Sequence, residues 1–108
     1  LNAFTDQFRN PLYTEDAATI LSELPAKYQA NDTINFCGNE YLSRYEMCLL
    51  MAKEFGFNKD LILESKSREF SQYKMVVRLG LNSDKLKNYG FTTGSYEQNL
   101  RKSINFKP

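Results

Sequence analysis

Apolar residues recur along this chain in two rhythms. Ala17, Ile20, Leu21 and Leu24 fall on one stripe of a helical period. Thr14 is placed to cap that helix, with Glu15 and Asp16 in a first turn where negative charge suits the helix dipole, and Pro25 is expected to end or interrupt it. Ser43 and Glu46 are spaced as a capping box, which predicts a second helix with Tyr45, Cys48, Leu49, Ala52 and Phe55 on its inward face and a stop near Gly56. Ser83 is the expected cap of a short helix over 84–89, stopped by Gly90. Ser95 and Gln98 form a second capping box, ahead of Tyr96, Leu100 and Ile104 at four-residue spacing. Between these helices the rhythm changes. Residues 33–37 (TINFC) alternate and are β-rich, with Gly38-Asn39 as the following turn. Residues 61–65 (LILES) read as another strand, 67–73 as a polar loop, and 75–81 as a β-rich apolar run interrupted by Arg78. Residues 8–13 read as a short extended piece, which Pro11 limits to a sheet edge or strand end. The expected fold class is α/β, an α+β-like small lobe of short strands interleaved with three to four helices.

Composition narrows the function more than the fold. A length of 108 residues is one domain's worth, and 42% hydrophobic residues give it a core, though a thin one. A net charge of +1, with Lys and Arg scattered, argues against a nucleic-acid partner. The longest apolar run, 47–52, is far too short to span a bilayer, so no membrane partner is expected. No charged-then-apolar leader opens the chain, so the expected location is cytoplasmic, with Cys37 and Cys48 as reduced packing residues. A first residue of Leu1 suggests a fragment or processed product.

Catalytic chemistry is hard to place. There is no His, so the commonest general base and metal ligand is missing, and no metal site is expected. The five glycines form neither a G-x-G-x-x-G nor a G-x-x-x-x-G-K array, so no pyrophosphate cradle is visible. No tyrosine is followed four residues later by Lys, the pair that would lower a phenol pKa for hydride chemistry. The expectation is that this chain alone holds no catalytic and no cofactor-binding residue.

Longer stretches do carry a resemblance. INFCGNEYLSRYEMCLLMAKEFGF, then LGLNSDKLKNYGF and SYEQNLRKSI, resemble the C-terminal part of extended short-chain dehydrogenases/reductases, the NAD-dependent epimerase/dehydratase superfamily that acts on nucleotide sugars. The branch it looks most like is that of the dTDP-4-dehydrorhamnose reductases. The opening DQFRNPLYTEDAA is similar to the superfamily's Q-x-R-x-x-x-Y-x-x-D-x-A segment. The resemblance implies that residues 1–108 are a single substrate-binding lobe, normally appended to an N-terminal Rossmann domain absent here, which would bind NAD or NADP and carry the Tyr/Lys pair. It implies a nucleoside-diphosphate sugar and that Rossmann domain as partners, with a homodimer left open. The parent protein is then expected to be an NAD(P)-dependent oxidoreductase, reductase preferred over epimerase or dehydratase. The alternative is a regulatory protein of the same fold, like the beta subunit of methionine adenosyltransferase, whose GNE…KYEM stretch looks like residues 38–47. One departure favours that alternative: Met75 and Val76 stand where the reductase branch has Arg-Pro.

The implied substrate-binding residues are Gln7, Arg9, Tyr13, Lys74 and Arg78. Arg9 matches an Arg that contacts substrate diphosphate in related epimerases, and its planar fork suits two phosphate oxygens at once. In an extended segment Gln7 and Arg9 share one face. Tyr13 would line the sugar pocket. Lys74 and Arg78 lie near the segment that closes over substrate in the family, Lys74 as a point charge in place of the missing Arg-Pro. Arg44, Tyr45 and Glu46 also match the family but are explained by a capped helix.

Overall fold

The computed structural model describes residues 1–28, 31–70, 72 and 74–105. Both capping boxes form as the sequence predicts. Ser43 accepts from the Glu46 amide while the Glu46 carboxylate takes the Ser43 amide, and Ser95 and Gln98 do the same. They open helices α2 (Arg44–Phe55) and α4 (Tyr96–Ile104). Gly56 ends α2 in the left-handed conformation, φ 72°, which glycine adopts without a Cβ penalty. Helix α1 spans Thr14–Lys27 and α3 spans Asp84–Asn88.

The strands are short, and each finds its partner far along the chain. β1 (Asn2–Phe4) pairs in parallel with β4 (Leu63–Ser65), Ala3 opposite Glu64. β2 (Phe8–Arg9) pairs antiparallel with β3 (Leu42–Ser43), Phe8 opposite Ser43. On its other edge β2 receives a single parallel bridge from Arg78, with Phe8 N–H donating to Val77 O at 2.7 Å. The described residues thus form an α/β lobe with four α-helices and short strands.

Several local expectations are corrected by tertiary contacts. Residues 33–37 form no strand: Ile34 and Phe36 pack against the Ile20–Leu86–Phe91 cluster, so their alternation serves burial without a ladder. Only 63–65 of the expected 61–65 strand pairs, because Asn58 caps a 3-10 turn over Lys59–Leu61. Of 75–81, Arg78 alone makes a bridge. The polar loop expected over 67–73 begins as a 3-10 turn at Ser67–Glu69; its Ser71 and Tyr73 lie outside the described residues. Thr14 is already helical, with Tyr13 at the cap position and no side-chain cap bond. Pro25 sits inside α1, near enough to its end that the helix continues to Lys27. Ser83 makes no cap bond either; Asn82 Oδ1 takes the Asp84 amide instead. Phe55 is exposed and only Ala52 of the expected inward face of α2 is buried.

The fold is open for its length. Its Cα radius of gyration is 16.2 Å, against about 13 Å for a compact domain of some hundred residues. One cluster joins α1, α3 and residues 34–36 through Ile20, Leu86 and Phe91. Helix α2 packs separately on β1 and α4. Outside these, Leu1, Phe57, Leu61, Leu63, Phe70 and Val76 are exposed. No helix among the described residues is long and apolar enough to cross a membrane.

Candidate functional site

The segment of residues 75–79 crosses the lobe as an exposed strap, and β2 lies beneath it. Alternation along β2 decides what meets it. Gln7 and Arg9 both reach the strap: Gln7 Nε2 faces Met75 Sδ at 3.7 Å, and Arg9 Nη2 donates to Val76 O at 3.0 Å. Arg9 Nη1 donates to Phe8 O at 2.6 Å and reaches Val77 O at 3.4 Å. Three of its five N–H groups therefore serve backbone carbonyls. Phe8 points the other way, stacked on Tyr41 at 5.1 Å, with the Arg78 guanidinium 5.5 Å from its ring centre. Arg78 is thus on the opposite side of β2 from Gln7 and Arg9. Lys74 is exposed and makes no hydrogen bond or ion pair among the described residues.

Gln7 is the most deeply placed of the predicted residues, at 2% exposure. Its Oε1 accepts from Arg44 Nε at 2.8 Å, and its backbone oxygen accepts from Arg44 N at 2.9 Å. Gln7 and Arg44 line a groove of about 440 Å³ together with Leu1, Ala3, Phe4, Met47, Cys48, Met51, Met75 and Tyr96. A second, apolar groove of about 590 Å³ continues past Cys48 and Met51 to Phe57 and Ile62. Tyr13 lines a different crevice, of about 160 Å³, between residues 11–14 and α4. Tyr96 forms a wall of both this crevice and the Gln7 groove, and burial pushes its phenol pKa up. Burial, then the neighbouring Glu15 carboxylate, also raise the Tyr13 phenol.

Two polar residues hold these pieces together: Asn10, which the sequence did not single out, and Asp16, expected only as a helix-start charge. Asn10 donates to Gly38 O and Glu40 O and accepts the Leu81 amide at 2.9 Å, tying strap, turn and β2. Asp16 accepts from Gly94 N at 3.1 Å and Asn99 Nδ2 at 3.2 Å, joining α1 to the start of α4. An Asn directly before a Pro, and a carboxylate in a helix first turn, have ordinary local explanations, so neither long-range role was expected.

The start of α4 does not fit the pyrophosphate of a dinucleotide. A pyrophosphate needs free amides at a glycine-rich helix start. Gly94, which leads into α4, already gives its N–H to Asp16, and Tyr96 N gives its own to Glu40 Oε2 at 2.6 Å. Two carboxylates occupy that helix end. No group of three or more His, Cys, Asp or Glu among the described residues is placed to hold a metal ion.

No protein-family model and no curated protein matches this chain. Among solved structures, it is similar to the dTDP-4-dehydrorhamnose reductase of Bacillus anthracis str. Ames, crystallised in complex with NADP, with a TM-score of 0.74 and 18% identity. The match covers 99% of this chain and 38% of the reductase. At that identity the likeness establishes the fold: this chain has the architecture of just over a third of a dTDP-4-dehydrorhamnose reductase.

Proposed function

We propose that this chain is the substrate-binding lobe of an NADP-dependent nucleotide-sugar reductase, joined in the parent protein to a nucleotide-binding domain that supplies cofactor and proton donor. The observation that carries the reading is the fold match, which takes in nearly all of this chain and only 38% of an NADP-bound reductase. The open shape and exposed apolar side chains of the lobe support it, since such faces suit a second domain. The carboxylate-filled start of α4 agrees with it, since that helix end offers no free amides to a pyrophosphate. The lobe's share of catalysis is positioning: it holds the nucleoside diphosphate and presents the sugar carbonyl to hydride.

The test is NADPH oxidation with a dTDP-linked keto sugar, followed by absorbance, in the parent protein and in the 108-residue chain. Turnover by the parent and none by the chain is expected. A parent that binds NADP and reduces no nucleotide-linked keto sugar would overturn the reading. That second outcome favours a regulatory protein of the same fold, for which one feature speaks: Met75 and Val76, where the reductase branch carries Arg-Pro, present a thioether and an exposed apolar side chain.

A further inference from the structure

We propose that Arg44, held in place by Gln7, is the diphosphate-reading residue of this lobe, and that the groove beside it takes the rest of a nucleoside-diphosphate ligand. The inference rests on the lobe reading above and names the residue that meets the ligand's charged group.

Arg44 is fixed at two points. Its backbone N–H donates to Gln7 O at 2.9 Å and its Nε–H to Gln7 Oε1 at 2.8 Å. Holding Nε sets the plane of the guanidinium and leaves both Nη groups, with four N–H donors, without a partner among the described residues. None of the ion pairs among the described residues involves Arg44. An exposed guanidinium oriented by a buried amide and matched to no carboxylate is a fork waiting for an anion, and phosphate oxygens fit its geometry.

Gln7 points to the same ligand independently. It is 2% exposed, yet its Nε2 meets only the Met75 thioether, at 3.7 Å, and sulfur is a weak acceptor. A phosphoryl oxygen in the groove would satisfy this buried donor and the Arg44 fork together. Beyond the polar end, the groove offers about 440 Å³ walled by Phe4, Met47, Cys48, Met51 and Tyr96. That volume lies within the usual range of ligand sites, and soft methionine side chains adapt to a flat base. Arg9, by contrast, spends most of its donors on the carbonyls of residues 8, 76 and 77.

Calorimetric titration of the 108-residue chain with thymidine diphosphate tests the assignment, using the wild type, Arg44→Ala, Arg44→Lys and Arg9→Ala. Loss of a bidentate charged contact should raise Kd roughly ten- to a hundred-fold in Arg44→Ala. Arg44→Lys should recover only part of the affinity, and Arg9→Ala should change it by less than about threefold. The Gln7 side-chain amide resonances should shift on titration in the wild type. Titration with NADP separates the two sources of a diphosphate: weaker binding of NADP than of thymidine diphosphate assigns the site to the substrate. Binding lost in Arg9→Ala and kept in Arg44→Ala overturns the inference while leaving the lobe reading intact. No binding of thymidine diphosphate by the wild type also overturns it, and turnover by the parent protein still decides the reading beneath it.

Discussion

Gly38 and Pro11 touch backbone to backbone: a Cβ built on Gly38 would lie 1.7 Å from the Pro11 carbonyl oxygen. The contact brings the turn after residues 33–37 onto the end of the β2 segment, where Asn10 donates to the Gly38 carbonyl. No side chain fits there. Gly38→Ala is expected to lower stability by about 1–3 kcal/mol or more, because the obstructing atom is backbone and has no rotamer to yield. Urea unfolding of both proteins measures it, and equal midpoints would show that the turn stands off from Pro11.

Acid should loosen the junction between β1 and the turn after β4. Burial opposes the charge of the Asp6 carboxylate, but the Ser67 amide and hydroxyl, at 3.0 Å each, outweigh it and hold its pKa below the ordinary 3.8. A folded pKa below the unfolded one gives stability that is complete above the unfolded value and is lost as pH falls through the folded value. Asp6→Asn should therefore melt below the wild type at pH 7, and the gap should close as the pH drops below about 4. Thermal melts across that range read it directly; a constant gap would remove the charge from the explanation.

The two thiols should differ in reactivity. Cys37 is 3% exposed and burial pushes its thiol pKa up, whereas Cys48 is half-buried and lines both grooves along α2. Both are free. Alkylation of the folded protein should label Cys48 first and Cys37 only on unfolding, since the thiolate is the reacting species. Mass spectrometry of timed digests checks the order. Simultaneous labelling would mean that the residues around Cys37 open as readily as the groove.

Arg9 has a structural duty that separates it from Arg44. Arg9→Ala removes the bonds to the carbonyls of Val76 and Val77, so the strap should loosen on β2. Hydrogen exchange should quicken at the amides of Phe8 and Leu79, which bond across that edge, with a global loss of roughly 1–2 kcal/mol. Unchanged exchange at both amides would show that the ladder alone holds the strap.

What the sequence determined by itself rested on neighbours a turn away, although the caps expected at Thr14 and Ser83 do not form. The Ser43 and Ser95 capping boxes, the left-handed stop at Gly56 and the helices they bound follow from local backbone donors, short side chains and the absence of a Cβ. The alternation along residues 7–9 was equally legible, because successive side chains of an extended chain must point to opposite sides. What that alternation points at was not. Gln7 meets Arg44 across 37 residues and Met75 across 68, and no local pattern encodes such pairs. The same holds for residues 33–37, where an alternating stretch buries Ile34 and Phe36 with no strand to pair with. Alternation specifies which side is apolar; a ladder also needs a second backbone at hydrogen-bonding distance. Arg44 shows the limit most clearly. In sequence it is the first residue of a well-capped helix, and only the packing of Gln7 beneath it turns a surface charge into an oriented one.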